Sequence, residues 1–242
     1  MRLCVPSWQL PGSWLYNVEK LAAIPWIEGI ELLFFSFDED ARKTFAVERE
    51  GIAGFADRFS FSLHLPDPLM PADRDLVAMT ETFVDQYVFH PYGAGDRAGY
   101  GAVDEADRAL KRGEGMDAWA DLLKKLRAEY GERRFAMEYS GGAAFERSLA
   151  LLPGAPLCAD TGCLIRDGLQ PLDWMLNHVD SLREVHLHAA RGDKDHLPLG
   201  RDEPWVPEFV DAAAAGDWRV VLETFSLEDS RASYEALRRW LP

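Results

Sequence analysis

Short apolar runs alternate with amphipathic segments eight times along the chain, and few folds accommodate that pattern. The runs are Leu3 to Pro6, Ile30 to Phe35, Phe59 to Leu65, Tyr87 to His90, Phe135 to Tyr139, Leu157 to Thr161, Val185 to His188 and Val220 to Thr224. Between them, apolar residues recur at helical spacing: Leu76, Met79 and Phe83; Trp119, Leu122, Leu123 and Leu126; Tyr234, Leu237 and Leu241. Near-continuous apolar strands joined by helical crossovers belong to a parallel sheet covered on both faces. Eight such units predict an α/β fold, a (β/α)8 TIM barrel, as one domain over residues 1–242. The length of 242 residues suits a barrel, which takes about 250.

Charge and cysteine content narrow the partners. With 41 acidic against 26 basic residues, the net charge is -15 and the cations are dispersed among acids, which argues against nucleic acid as a partner. Cys4, Cys158 and Cys163 have no disulfide-framework spacing, and the start MRLCVPSWQL lacks a basic region followed by an apolar run. No apolar stretch approaches the roughly twenty residues of a membrane span, so a cytoplasmic protein without membrane contact is expected.

Barrels of this kind place their chemistry at the C-terminal ends of the strands. Six consecutive predicted strands present His64, His90, Glu138, Asp160, His186 and Glu223 there. Convergent imidazoles and carboxylates form a metal-ligand composition, with zinc the first candidate and manganese or iron as alternatives. The segment REVHLHAARGDKDHLPLG concentrates three of the six histidines: period-two alternation turns His186 and His188 to one face, and His196 follows on a polar loop. Glu31 lies within the second strand, as an inward-facing site residue or a structural one. The glycines Gly93, Gly95 and Gly99 mark a long loop that could fold over a ligand.

With these residues in view, the chain resembles the xylose-isomerase-like barrel superfamily of sugar isomerases, epimerases and apurinic-site endonucleases. That resemblance implies metal ligation by Glu138, Asp160, His186 and Glu223, and its endonuclease branch adds histidines matched by His64 and His90. The chain departs from that branch where Cys163 replaces a histidine and where Lys194 stands two residues before His196, with Asp193 or Asp195 as substitutes. The segments CVPSWQLPGSW, IEGIELLFFSFDED, SLHLP, FHPY and HLHAARGDKDHLPLG look most like the cobamide-remodelling phosphodiesterases.

The resemblance implies a metal-dependent phosphodiesterase that opens the nucleotide loop of cobamides and leaves cobinamide phosphate. Glu138 would bridge two metals, and Glu223, His188 and His196 would join it in catalysis. Trp8, Phe35 and Tyr92 are expected to hold the corrinoid ring, and Arg191 and Lys194 the phosphate. Alternatives are a sugar isomerase or epimerase using Glu138 and Glu223 as acid and base, an apurinic-site endonuclease-like hydrolase, and a non-catalytic binding protein.

Overall fold

The computed structural model describes residues 1–93, 115–192, 194–200 and 203–241. Eight parallel strands close into a barrel. They are β1 (Arg2–Pro6), β2 (Gly29–Leu33), β3 (Ser60–His64), β4 (Val84–Phe89), β5 (Phe135–Glu138), β6 (Leu157–Asp160), β7 (Leu182–His186) and β10 (Arg219–Val221). The ring order β1-β10-β7-β6-β5-β4-β3-β2 makes sequential barrel strands neighbours all the way round, so the predicted (β/α)8 barrel is the fold. Between β7 and β10, Ala189–Arg191 (β8) and Lys194–Leu197 (β9) pair antiparallel as a separate hairpin.

Helices α1 (Trp14–Leu21), α2 (Glu39–Ala53), α3 (Arg74–Thr80), α4 (Met116–Tyr130) and α5 (Gly142–Leu151) accompany the first five strands. They are followed by α6 (Thr161–Arg166), α7 (Pro171–Asn177), α8 (Val206–Gly216) and α9 (Leu227–Leu237). Ser13, Asp38, Asp160 and Ser226 start α1, α2, α6 and α9, each accepting a hydrogen bond from a first-turn backbone N–H. Among the described residues no helix is long and apolar enough to cross a membrane.

The large core holds Phe45, Phe61, Phe89, Phe135, Phe209 and Trp218 among its fully buried side chains. Val88, Ala136 and Cys158 form a small apolar cluster of their own, which strand alternation places inside the barrel two residues before the mouth. Polar residues share the interior with it. Ser62 on β3 donates to Glu184 on β7 at 2.8 Å, and these strands stand opposite in the ring, so the contact passes through the interior. Arg219, at the start of β10, reaches Glu184 at 3.6 Å and the more exposed Asp85 near the start of β4 at 3.2 Å.

Two local expectations are corrected. His196 lies on β9 rather than a loop; Gly192, at φ 59, makes the turn that lets AARGDKDHL fold back on itself. β4 begins at Val84, three residues before the expected start, because polar Asp85 and Gln86 interrupt the apolar pattern while the strand runs on through them, with an irregularity at Asp85 in its pairing with β3. Gly95, Gly99 and Asp193 lie outside the described residues.

Candidate metal centre

Inward alternation explains why the mouth is polar. Ser62 and His64, Ala136 and Glu138, Cys158 and Asp160, and Glu184 and His186 are i, i+2 pairs whose second members reach the C-terminal end. His188 and Glu223 lie two residues beyond the ends of β7 and β10. Of the seven carboxylates and imidazoles here, His64, Glu138, Asp160, His186, His188 and Glu223 are buried, and the His90 side chain is 25% exposed.

Glu138 is the hub. Its Oε2 lies 2.9 Å from Nε2 of both His64 and His90, and its Oε1 lies 3.3 Å from His186 Nδ1. The far nitrogens of the first two rings are also occupied: His64 Nδ1 stands 3.0 Å from the Leu65 carbonyl and His90 Nδ1 3.1 Å from Asp67. On the other side, His188 Nε2 lies 3.0 Å from Asp160 and 3.4 Å from Glu223, whose Oε2 is also 3.3 Å from His186 Nδ1. His186 Nε2 turns down to Glu31 at 3.1 Å, so Glu31 faces inward beneath the site.

The electrostatics follow from this crowding. Burial alone would lower the imidazoles, but the surrounding carboxylates outweigh it: His90, His186 and His188 are held well above the ordinary histidine value, and His64 above it. Burial likewise opposes ionisation of Glu138 and Glu223, yet the charges of His90 and His186 hold Glu138, and the charge of His186 holds Glu223, well below the carboxylate range. Deeper down, burial raises Glu184 to about 7, against the pull of Arg219.

Three buried atoms here, His186 Nδ1, His188 Nε2 and Glu223 Oε2, have no hydrogen-bond partner although polar atoms crowd them. Such convergence without hydrogen-bond direction is the arrangement a cation satisfies. Ligand atoms around a tetrahedral ion at ~2.0–2.1 Å stand about 3.3 Å apart, close to the separations seen here. Ligand atoms of Glu138, Asp160 and Glu223 lie within 4.8 Å of one another, as do those of His188, His196 and Glu223, and those of His64, Glu138 and His186. These clusters could chelate a divalent ion. A further group, Glu31, Glu184 and His186, meets the same distance limit, but Glu184 already faces Arg219 and Glu31 already meets His186 Nε2.

Of the other expected site residues, His196 borders the cluster and the rest fall elsewhere. His196 stacks on His188 at 4.5 Å between ring centroids, with Nε2 3.8 Å from Glu223, and holds a left-handed φ of 52. Cys163 sits on α6, its sulfur 2.9 Å from the Arg166 guanidinium, and burial pushes its thiol far up. Trp8 and Phe35 form an exposed edge-to-face pair at 5.7 Å, while Tyr92 is buried against Trp119. Arg191 and Lys194 are exposed on the hairpin.

Asp67, Arg166 and Gly162 carry no spacing signal, although all touch the cluster or its supports. A Cβ on Gly162 would stand 2.2 Å from His188 Cε1 and 2.4 Å from Asp195 Oδ1. Gly162→Ala is therefore expected to displace the His188 ring and weaken divalent-metal binding by about tenfold or more, read by calorimetry. Wild-type affinity in that variant would show that the ring yields without cost.

No family model matches the chain, and no curated protein matches it. Solved structures do. A D-tagatose 3-epimerase-like protein aligns at 17% identity with a TM-score of 0.68, covering 99% of this chain and 97% of its own. A protein from Bacillus anthracis described as the probable 3-DHS dehydratase of petrobactin synthesis aligns at 12% identity and a TM-score of 0.65, covering 98% of each chain. The 3-keto-D-glucoside 4-epimerase of E. coli aligns at 11% identity and a TM-score of 0.62, covering 99% of this chain and 98% of its own. At such identities the likeness establishes the barrel.

The expected cobamide phosphodiesterase is corrected by these matches. Full-length likeness runs to sugar epimerases, isomerases and a dehydratase, and none of these is described as a hydrolase or a corrinoid enzyme. The segments behind that expectation include strand-end residues, and one fold carries many chemistries at such positions.

Proposed function

We propose that the chain is a metal-dependent isomerase or epimerase of a sugar or sugar phosphate, working by proton transfer at a carbon beside the substrate carbonyl. One observation carries this reading: Glu138 and Glu223, both buried and held ionised, flank His186 Nδ1 at 3.3 Å each, within one cluster with Asp160 and His188. The epimerases and the dehydratase of like fold support it, because epimerisation beside a carbonyl and loss of a β-hydroxyl can both begin with removal of the α-proton.

Glu138, Asp160, His188 and Glu223 would hold the ion. Three carboxylates and one imidazole favour manganese over zinc, since carboxylate-rich sites suit harder cations. When bound, the ion polarises the substrate carbonyl and so acidifies the neighbouring C–H. One of the two glutamates accepts that proton, and the other delivers a proton to the opposite face in epimerisation. In aldose–ketose isomerisation a single carboxylate carries the proton between adjacent carbons. Trp8 and Phe35 offer exposed ring surface to the C–H face of a sugar, and Arg191 and Lys194 supply cations for a phosphorylated one. His64 and His90, both beside Glu138 Oε2, would hold a second ion if one binds, to be counted by metal stoichiometry.

The direct test is incubation of the manganese-loaded protein with free and phosphorylated ketoses and aldoses in deuterated water, followed by NMR. Deuterium entry beside the carbonyl with formation of an epimer or isomer is expected. Absence of exchange across the panel, in protein shown by calorimetry to hold the ion, would sink the assignment.

Metal addition should also be visible as stability. An ion at a hundredfold excess over its Kd adds about 2.7 kcal/mol, or about 5–10 °C in Tm for a chain of this size. In the metal-free chain, the raised histidines stabilise below about pH 6.5, an effect lost as pH rises through their folded values. The lowered Glu138 and Glu223 stabilise above about pH 4.3, an effect lost as pH falls through theirs. Metal must displace the histidine protons, so the gain in Tm is expected to grow from about pH 6 to about pH 8. Calorimetric scans with and without manganese check this; a gain that shrinks with pH would contradict it.

A further inference from the structure

His188 has two rivals at its far nitrogen. Its Nε2 faces Asp160 and Glu223, so it can bind an ion there only if the ring proton sits on Nδ1. Nδ1 lies 3.1 Å from Asp195 Oδ1, an acceptor, and 3.2 Å from the backbone nitrogen of His196, a donor. The two neighbours favour opposite tautomers. Asp195 Oδ1 also accepts the His196 N–H at 2.9 Å, which draws that donor away from the ring.

We propose that Asp195 is a positioning residue that sets the tautomer and aim of His188, with Arg166 holding the carboxylate in place; this rests on the metal centre proposed above. Arg166 Nη1 grips Asp195 Oδ2 at 2.8 Å, leaving Oδ1 for the ring. The same short helix α6 has Asp160 as its N-cap, accepting from Cys163 N at 2.8 Å, and Arg166 as its last residue. One helix thus presents a ligand from its first end and the clamp for a second ligand from its last. The β8–β9 hairpin, which carries Asp195 and His196, becomes a working part of the centre. His196 there holds a left-handed φ of 52, and its backbone N–H lies against the ring.

The experiment uses full-length wild-type, Asp195→Ala, Asp195→Asn and Arg166→Gln proteins, titrated with manganese by calorimetry. The same proteins, metal-free, with 15N-labelled histidine and at a pH high enough to leave the His188 ring singly protonated, report its tautomer by NMR. Asp195→Ala is expected to weaken manganese binding about 10- to 100-fold and to move the His188 proton to Nε2, because His196 N–H then takes Nδ1. Asp195→Asn retains an acceptor oxygen and is expected to keep the Nδ1 proton with a smaller loss. Arg166→Gln, which leaves both hairpin residues intact, is expected to lose a few-fold with the tautomer unchanged.

Wild-type affinity in Asp195→Ala would overturn the positioning role, as would weaker binding with an unchanged His188 tautomer, since a merely structural role would do that. A wild-type protein that binds no manganese would instead overturn the metal centre itself, and the proposal with it.

Discussion

Glu223→Gln is expected to lower the rate of substrate proton exchange by about 10²–10⁴-fold, the range for loss of a positioned acid or base. Glutamine fills the same space but neither accepts a proton nor brings charge to an ion. Two roles are therefore lost together, and they can be separated. Raising manganese until the variant is saturated, followed by calorimetry, is expected to restore occupancy while the rate stays low. Glu138→Gln should behave similarly but less cleanly, because Glu138 also carries the contacts of His64, His90 and His186. A saturated Glu223→Gln protein that keeps more than about a tenth of wild-type exchange would remove Glu223 from the proton-transfer pair.

The barrel was legible because each strand is buried on both faces, which turns it into an apolar run that local sequence displays. The strand-end histidines and carboxylates were legible for a related reason: a charged residue closing an apolar run has little to do except face the mouth. What local sequence cannot show is pairing across the barrel. Ser62 and Glu184 stand 122 positions apart, and nothing near either names the other. The hairpin was missed because AARGDKDHL has no alternation of apolar and polar residues, and a tight turn at Gly192 organises it. His186 and His188 share a face as expected, yet only the geometry separates the ring leaning on Glu31 from the ring held by Asp195. Reaction class was least legible, because histidines and carboxylates at strand ends suggest a metal but name no reaction, and one fold hosts many.

Arg219→Met is expected to destabilise the protein in a pH-dependent way that tests the polar interior directly. Arg219 is 6% exposed and faces Glu184, which is fully buried and whose other oxygen accepts from Ser62. Removing one partner of a buried pair costs about 3–5 kcal/mol when the remaining charge is stranded. Glu184 has an escape, because burial already raises it to about 7 and loss of the guanidinium raises it further. The folded variant then binds a proton that the unfolded chain releases near pH 4.3, so its stability falls as pH rises through and beyond about 7. In the wild type the same fall ends near the folded value of about 7. Urea denaturation should therefore show a modest loss at about pH 6 and the larger loss at about pH 9, where Glu184 is forced to ionise without a partner. Adding Glu184→Gln to Arg219→Met should recover most of the loss at the higher pH, because no stranded carboxylate remains. A destabilisation independent of pH, or no recovery in the double variant, would mean that Arg219 holds the barrel by packing its stem rather than by balancing Glu184.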